Sequence, residues 1–271
     1  MVDFSVLISI YYKEKPHCLI QSLDSVFNQT VLPAEVILVK DGQLTAELDA
    51  IINEFANKYD DKLKIITLPE NVGLGNALNE GLKHCSHEFV ARMDTDDICK
   101  PNRFEKQLIA FEQNQTVSIV GSWIDEFIGT PENIVSIRKL PEKNSDLVNY
   151  ARTRSPMNHP SVMFKKTDIL TVGGYKHFYL LEDYHLWVRL IMGKYELYNI
   201  QESLLLFRTN PQMIARRGGW KYAISEFKFF YELYKLKFYG LTHFIKNVLI
   251  RFPIRIMPIR IRYYVYKKIL R

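Results

Sequence analysis

The densest acidic group in this 271-residue chain directly follows an apolar run, in segment 92–98 (RMDTDDI). Carboxylates this close together raise one another's pKa unless a metal cation or an arginine compensates their charge. Oxygen ligands of this kind suit Mg²⁺ or Mn²⁺. The segment could instead be a solvated acidic turn that caps the helix predicted after Pro101, because aspartate is favoured at helix N-termini. It is therefore a candidate cation site with a structural alternative.

The chain before this segment alternates between short β-branched runs and helical patterns. Strands are predicted at 4–11, 35–40, 63–68 and 88–93, and helices at 18–28, 45–59 and 73–85. This alternation is typical of βαβ units, and so of an α/β fold with a mostly parallel sheet. Ligands of such sheets bind beyond the carboxyl ends of the strands. Those ends carry residues 11–12 (YY), 40–42 (KDG), 69–71 (PEN) and the acidic segment, so we expect the site there.

The second half of the chain has a less regular pattern. A helix is predicted from 101 to about 114 and a strand from 117 to 127, before a stretch at 129–144 where the periodicity weakens. A buried strand at 161–164, a glycine turn at 173–175 and an amphipathic helix at 183–192 follow. Glu182 and Asp183 stand at the start of this last helix, where they could simply be favourable charges at its positive end.

Five segments occur in a characteristic order: 4–11 (FSVLISIY), 35–42 (EVILVKDG), 71–79 (NVGLGNALN), 94–97 (DTDD) and 182–187 (EDYHLW). The ordered set resembles the family 2 inverting glycosyltransferases of the GT-A fold over roughly residues 3–210. It is most similar to bacterial enzymes that build O-antigen and exopolysaccharide repeating units, in which a segment like 157–164 (MNHPSVMF) also occurs. The resemblance implies a Rossmann-like sheet flanked by helices. It also implies inverting transfer of a hexose from a nucleotide-diphosphate sugar, UDP-linked, to a lipid-linked saccharide.

Several donor contacts follow from this resemblance, position by position. Tyr11 and Asp41 match the residues that contact the uridine, whereas Lys40 departs from the family's usual second aspartate. Asp94 and Asp96 match the D-x-D pair, the second of which is a direct ligand of the Mn²⁺ or Mg²⁺ that bridges the diphosphate. The complete predicted set of donor contacts is Tyr11, Asp41, Asn71, Asn79, Arg92, Asp94, Arg216 and Arg217.

Two of these groups have structural alternatives. Segment 71–79 has glycines at 73 and 75 without the G-x-G-x-x-G spacing, so we interpret them as helix-entry and close-packing residues, with Asn71 and Asn79 as sugar-nucleotide contacts. Arg216 and Arg217 could be the start of a basic tail. They could also close over the diphosphate, because guanidinium groups match phosphate geometry.

The acceptor side of the site is predicted from the second acidic pair. In the family that the sequence resembles, the second acid is the general base that takes the proton from the acceptor hydroxyl, which points to Asp183. Glu182 would shape the pKa of Asp183 or contact the acceptor sugar. His159 is predicted either to contact the acceptor or to make a structural hydrogen bond, and the sequence does not decide between them.

The charge distribution separates an acidic body from a basic tail. The chain has a net charge of +6, but its last acidic residue is Glu232, and ten Lys and Arg follow without an acid. Residues 1–232 therefore hold 26 bases against 30 acids. We divide the chain into a catalytic domain at 1–215 and a helical basic aromatic tail at 216–271, and expect the tail to bind an anionic membrane surface. Because prolines break this segment and aromatics suit a lipid headgroup interface, we expect no nucleic-acid partner.

The cysteine content and hydropathy indicate the compartment. Three cysteines without C-x-x-C spacing favour neither disulfides nor a zinc site, which suggests a reducing compartment. No apolar stretch approaches the ~20 residues of a membrane-spanning helix. We therefore expect a cytoplasmic protein, peripheral on the inner face of the cell membrane.

Two other functions compete with glycosyl transfer. A sugar-1-phosphate nucleotidyltransferase also combines an α/β sheet, Mg²⁺ and carboxylates, but it would need a glycine-rich phosphate loop after the first strand. Segment 10–16 (IYYKEKP) contains no glycine. A non-catalytic membrane adaptor is the other alternative.

Overall fold

The first half of the chain forms a four-stranded parallel sheet. In the computed structural model, which describes residues 2–210, 216–258 and 261–262, its strands are β1 (Phe4–Ile10), β2 (Glu35–Lys40), β3 (Leu63–Thr67) and β4 (Phe89–Asp94). They lie in the order β3-β2-β1-β4, with parallel pairing throughout. The predicted strands agree with these to within one residue at each end. Their carboxyl ends meet at one edge, as expected for βαβ connections.

The connecting helices are α1 (Pro16–Phe27), α2 (Ala46–Tyr59) and α3 (Leu74–His84). Proline suits the first turn of α1, since its missing N–H would have no partner there. The Thr45 side chain caps α2 by accepting a hydrogen bond from the Leu48 N–H at 3.3 Å. Gly81 lets α3 approach the sheet closely, because a Cβ at this position would stand 2.3 Å from a methyl carbon of Leu7.

The second half extends the sheet with mixed pairing. Its elements are β5 (Ile98–Cys99), α4 (Arg103–Gln113), β6 (Val117–Phe127), β7 (Ile134–Arg138), α5 (Asn144–Tyr150), β8 (Met163–Lys165), α6 (Lys166–Thr171), α7 (Glu182–Met192) and β9 (Glu196–Arg208). Strand β8 lies antiparallel between β4 and β6, and β9 pairs parallel with β6. Strand β7 is antiparallel to β6, and β5 to β9. The parallel arrangement is thus confirmed for the first half, and the rest of the sheet is mixed.

Strands β7 and β9 have no counterpart in the predicted elements. Strand β7 lies within the stretch 129–144, where the periodicity is weak. Strand β9 is interrupted by the polar pair Gln201 and Glu202, and its register against β6 shifts there, between the pairs at Ile200 and Ser203. Such a bulge breaks the alternation by which a strand is recognised in a sequence.

Two hydrophobic layers cover the faces of the sheet. One packs α1, α2 and α4 against one face, around residues such as Leu23, Ile52 and Phe104. The other packs α3, α6 and α7 against the opposite face, with Trp187 of α7 completely buried. Because both faces are covered, the polar ends of the strands remain the place where a ligand can approach the sheet.

The C-terminal region contributes two helices, α8 (Trp220–Lys235) and α9 (Leu241–Ile256), which pack on the rest of the chain. Phe229 and Leu233 of α8 join a buried cluster with Tyr184 and Val188 of α7. On α9, the Asn247 side chain donates a hydrogen bond to the Arg152 carbonyl at 2.9 Å. Among the helices that the structure describes, none is both long and apolar enough to span a lipid bilayer.

The expectation that the bases after Glu232 stand without acidic partners is wrong for Lys235, which lies 4.0 Å from Glu232, and for two arginines. Arg255 donates two hydrogen bonds of 2.7 Å to the buried Glu226 carboxylate, and Arg251 contacts the same carboxylate at 3.2 Å. A charge buried between two helices requires a partner of opposite sign. Glu226 lies 25 and 29 residues before these arginines, so the pairing is not visible in the sequence.

Candidate active site

The carboxyl end of β4 brings three carboxylates together. Oxygen atoms of Asp94, Asp96 and Asp97 all lie within 4.8 Å of one another. The Asp94 carboxylate accepts hydrogen bonds from both terminal nitrogens of the buried Arg92, one of them at 2.5 Å. This bidentate pair compensates one of the three charges.

The other two carboxylates, Asp96 and Asp97, are buried next to other negative charges. Burial raises the pKa of Asp96 to about 7, and the charges of Asp94 and Glu14 add to this effect. Burial also raises the pKa of Asp97, with Asp96 as the next largest cause. The Asp97 Oδ1 atom accepts a hydrogen bond of 2.9 Å from the Arg208 N–H, whereas its buried Oδ2 atom has no partner in the part of the chain that the structure describes.

These observations fit a divalent cation. The group supplies hard oxygen ligands at close range, one buried oxygen lacks a hydrogen bond, and the nearby arginine neutralises Asp94 alone. A cation of charge +2 would stabilise the ionised forms of Asp96 and Asp97. The predicted metal ligands Asp94 and Asp96 lie together in this group, and Asp97, which the sequence did not distinguish as a ligand, joins them.

Asp41, which is predicted to contact the sugar nucleotide, connects two loops at the same edge of the sheet. Its carboxylate accepts hydrogen bonds from the Val72 N–H at 2.7 Å, the Gly73 N–H at 3.1 Å and the Asn71 side chain at 3.0 Å. Gly42 allows the loops to touch, since its φ is +82° and a Cβ there would stand 2.7 Å from the Asn71 nitrogen. The predicted nucleotide contacts Asp41 and Asn71 therefore share one rigid corner.

Two neighbouring side chains complete this corner. Lys40 forms a 2.6 Å ion pair with Asp49 of α2, which accounts structurally for the lysine at this position. Tyr11 is 38% exposed, and its ring meets that of Tyr12 edge-on with centroids 5.8 Å apart. An exposed ring at a strand end is available to stack on a base, and the uridine contact of Tyr11 stays a prediction.

The acidic pair at the start of α7 faces the N-terminus of α3. A Cβ on Gly75 would lie 3.7 Å from the Glu182 Cβ and 3.3 Å from the Tyr175 Cβ, so the absent side chain allows this close packing. Burial raises the pKa of Glu182 to about 7, and the charge of Asp183 adds to it. Burial raises the pKa of Asp183 as well, opposed by the positive charges of three arginines, Arg217, Arg138 and Arg92.

Asn79 and His159 both make hydrogen bonds within the protein. The Asn79 amide accepts from the Tyr175 N–H at 2.7 Å and donates to the Tyr175 carbonyl at 2.8 Å. His159 Nε2 lies 2.9 Å from the Tyr175 hydroxyl, and burial together with the Arg92 charge holds the pKa of His159 well below its usual value. These bonds support structural roles for both residues. The donor contact of Asn79 and the acceptor contact of His159 stay predictions.

Two arginines that the sequence did not distinguish belong to the site. Arg208 ends β9 and donates hydrogen bonds to the Asp96 carbonyl at 2.9 Å and the Gln21 side chain at 2.6 Å. Arg138 ends β7, and burial lowers its pKa, with the charge of Arg217 adding to this effect and those of Glu126 and Asp183 opposing it. No motif surrounds either residue, so only the pairing of β6 with β7 and β9 brings them to the site. The predicted Arg216 and Arg217 are both exposed, and the charge of Arg217 opposes the rise that burial causes in the pKa of Asp183.

Residues 5–174 match the family model described as Glycosyl transferase family 2. This chain belongs to glycosyl transferase family 2. It is 42% identical over 268 residues to the UDP-Gal:alpha-D-GlcNAc-diphosphoundecaprenol beta-1,3-galactosyltransferase of Escherichia coli, covering 99% of this chain and 96% of that protein. It is 40% identical over 269 residues to the amylovoran biosynthesis glycosyltransferase AmsE of Erwinia amylovora, covering 98% of each.

The fold agrees with this family membership. A mannosyltransferase from Pyrobaculum calidifontis, solved in complex with GDP-Man and Mn²⁺, superposes with a TM-score of 0.66 at 16% identity, covering 99% of this chain and 78% of that one. The predicted GT-A fold is thereby confirmed. A family 2 member with a D-x-D cluster at the end of β4 is a glycosyltransferase, so glycosyl transfer is favoured over the nucleotidyltransferase and adaptor alternatives.

Proposed function

We propose that the protein transfers a hexose, with inversion, from a UDP-sugar to a saccharide attached to a lipid diphosphate. The observation that carries this proposal is the placement of two carboxylate groups, one suited to a cation and one at the start of α7 beside three arginines. The Escherichia coli relative, which is similar over nearly the whole chain, acts with UDP-Gal on a diphosphoundecaprenol-linked sugar. Similarity of that extent supports the same class of donor and acceptor.

On the donor side, Asp94, Asp96 and Asp97 are the residues that would hold Mn²⁺ or Mg²⁺. When bound, the cation supplies positive charge that stabilises the departing diphosphate. Arg92 keeps the Asp94 carboxylate oriented, and Asp41 orders the 71–73 turn next to it. Tyr11 and Asp41 contact the uridine in this proposal.

On the acceptor side, Asp183 is the proton acceptor for the attacking hydroxyl. Its raised pKa makes it a stronger base than an exposed aspartate, and the charges of Arg217, Arg138 and Arg92 favour its ionised form against the effect of burial. Glu182, whose pKa is about 7, is partly protonated under the same conditions and can donate a hydrogen bond to the acceptor sugar. The two neighbouring acids thus have different roles because their surroundings differ.

The direct test is to incubate the full-length protein with Mn²⁺, a panel of sugar nucleotides and a short-chain alkyl diphosphate sugar, and to measure released nucleoside diphosphate. We expect release that depends on the acceptor and is highest with one UDP-hexose. Asp96→Asn should serve as the inactive control. Failure of every sugar nucleotide to give acceptor-dependent release would contradict the proposal.

We also propose that the outer faces of α8 and α9 dock the protein on the anionic inner surface of the cell membrane. On α8 the exposed residues Trp220, Ile224, Phe227 and Tyr231 recur at helical spacing and form one stripe. The stripe continues onto α9 through Phe244, whose ring centroid lies 5.8 Å from that of Phe227. The exposed apolar residues of α9 itself are Leu241, Ile245, Leu249, Ile250 and Ile256.

The charges around this stripe favour a lipid surface. Lys221, Lys228 and Lys246 are exposed on the same two helices. The acids are neutralised, because Glu226 is buried with two arginines and Glu232 lies 4.0 Å from Lys235. Apolar side chains next to lysines match the headgroup boundary of an anionic bilayer, where each base contributes ~1 kcal/mol.

Removal of α9 is a poor test of docking, since it would leave Glu226 buried without its arginines. The double variant Ile224→Glu/Leu249→Glu changes only residues that are 46% and 69% exposed. We expect it to lose co-sedimentation with phosphatidylglycerol vesicles and to keep its melting temperature. Leu32→Glu, at 49% exposure on the loop between α1 and β2, is the matched control and should still bind. Equal binding by the double variant and the control would contradict the membrane role.

A further inference from the structure

The loop that follows β1 is connected to the acidic segment by a hydrogen bond between two side chains. Thr95, the residue between Asp94 and Asp96, donates from its hydroxyl to the Glu14 carboxylate at 2.5 Å. Thr95 is buried, with only 5% of its surface exposed. The other oxygen of the Glu14 carboxylate accepts a hydrogen bond of 2.7 Å from the Lys15 N–H. One carboxylate thus joins this loop to the residue that separates the two predicted metal ligands.

The same loop carries Tyr11, and a backbone hydrogen bond fixes Tyr11 relative to Glu14. The Glu14 N–H donates to the Tyr11 carbonyl at 3.1 Å, which is the bond between first and fourth residues that closes a β-turn. The Tyr11 ring is 38% exposed at the end of β1. Because the turn is closed by this bond, a displacement of Glu14 would move Tyr11 as well. The contact of Thr95 with Glu14 therefore controls where the exposed ring stands.

The charge of Glu14 gives this contact a dependence on the cation. The carboxylate adds a negative charge near a group that already has three, and it is one of the charges that raise the pKa of Asp96. A hydroxyl donates a stronger hydrogen bond to a carboxylate than to a neutral amide, but repulsion between the acids opposes the arrangement. A bound divalent cation would remove that repulsion. The loop and the cation group are thus expected to stabilise each other.

We propose that Thr95 is a positioning residue for the nucleotide, because its hydrogen bond to Glu14 holds the Tyr11 ring where it stacks on the uracil base. This inference rests on the proposed function, since it takes the donor to be a UDP-sugar whose uridine contacts Tyr11. The structural alternative is that the bond only closes the loop. Its loss would then lower the melting temperature and leave binding of the base unchanged.

The test compares uridine, which has no phosphate, with UDP on the full-length protein in Mn²⁺. Calorimetry measures the affinity for UDP, and ligand-observed NMR measures that for uridine. Thr95→Val keeps nearly the same shape and removes the hydroxyl. We expect it to weaken both ligands by the same factor, at least ~5-fold, because a hydrogen bond to a charged group is lost. Asp96→Asn should weaken UDP and not uridine, since the cation acts on the diphosphate.

Two further variants show whether the hydrogen bond itself matters. Thr95→Ser retains the hydroxyl and should stay within about twofold of the wild type for both ligands. Glu14→Ala removes the acceptor and should reproduce the loss of Thr95→Val. The double variant should lose no more than either single variant, since both delete the same bond. If Thr95→Val does not fold, Glu14→Ala, which changes a half-buried loop residue, replaces it in the comparison.

A variant of Tyr11 shows whether Thr95 acts through this ring. In the Tyr11→Ala background, Thr95→Val should not weaken uridine any further, because the ring that it positions is absent. Thr116→Val is the matched control. The Thr116 hydroxyl donates a similar hydrogen bond of 2.6 Å to the Glu196 carboxylate, next to the first residue of β6. This control should bind uridine and UDP like the wild type.

Three results would overturn the inference: unchanged uridine affinity in Thr95→Val, a loss confined to UDP, or a further loss of uridine affinity in the Tyr11→Ala background. The first result would make the bond structural, and the second would assign Thr95 to the cation group. Failure of the wild type to bind uridine would overturn the inference together with the UDP donor. Equal losses for both ligands, in a protein that transfers no sugar, would leave the role of Thr95 in place and reject the proposed activity.

Discussion

Two acidic groups, one at the end of β4 and one at the start of α7, differ in how their charge is balanced. The group at the end of β4 has three carboxylates within 4.8 Å and one arginine, Arg92, in direct contact. The pair at the start of α7 has two acids and the positive charges of Arg217, Arg138 and Arg92 around it. Burial raises carboxyl pKa values in both groups.

The difference indicates which ligand each group is built for. An excess of negative charge at β4 is stable only with an added cation. Near Asp183 the positive charges of Arg217, Arg138 and Arg92 oppose the effect of burial, so that side favours the ionised form of a base. The charges that surround each group, more than the presence of carboxylates, therefore separate the donor side from the acceptor side.

The largest effect is expected from Asp183→Asn, which keeps the shape of the side chain and removes the proton acceptor. Turnover should fall by at least ~10², the typical contribution of a positioned base. Acceptor-dependent release of UDP measures this. Near-normal turnover in the variant would remove Asp183 from the mechanism and make Glu182 the candidate base.

A smaller effect is expected from Arg92→Met, because Arg92 is the positive charge that both groups share. Loss of the bidentate contact to Asp94, which keeps 27% of its side chain exposed, should lower the free energy of unfolding by about 3 kcal/mol, the low end for a buried pair. Mn²⁺ should then raise the melting temperature more in the variant than in the wild type, since the cation replaces the lost charge. Lys100→Gln, which breaks an ion pair with Asp125 outside the cluster, is the control. An equal or smaller Mn²⁺ effect in the variant would contradict the idea that charge balance defines the β4 group.

The smallest effect concerns Glu182, whose pKa of about 7 lies above its ordinary value. Between pH 4.5 and 7 the folded protein holds a proton that the unfolded chain releases, so stability is lost as the pH rises through this window. Glu182→Gln removes this loss. Relative to the wild type, the variant should gain about 2.5 kcal/mol between pH 5 and pH 8 in urea unfolding, the value that this shift implies. Glu80→Gln, at an exposed carboxyl with a lowered pKa, should show no such gain.

The donor side could be predicted from the sequence because its parts are local. Asp94 and Asp96 follow a recognisable strand, and Asp41 and Asn71 stand at the ends of two others. Once parallel strands are recognised, their carboxyl ends must meet. The alternation of β-branched and helical segments was sufficient to predict parallel strands, and the predicted strands agree with β1–β4.

The acceptor side could be predicted only in part. Asp183 begins an amphipathic helix with a clear pattern, but Arg138 lies in an irregular stretch and reaches the site through the pairing of β7 with β6. Likewise, the contacts of Arg251 and Arg255 with Glu226 depend on how α9 packs against α8. Contacts of this kind arise from tertiary packing and leave no local signal. The predicted boundary at residue 215 also stays a prediction, since residues 211–215 lie outside the described part of the chain.

The central claim, that the two acidic groups divide donor binding from proton transfer, is tested most directly by calorimetry of UDP with two isosteric variants. In Mn²⁺, Asp183→Asn should bind UDP like the wild type, whereas Asp96→Asn should lose at least ~10-fold in affinity, as a missing charged ligand implies. Chelation of the metal should reduce wild-type affinity to the level of Asp96→Asn. Undiminished UDP affinity in chelator or in Asp96→Asn, or an equal loss in both variants, would contradict the division.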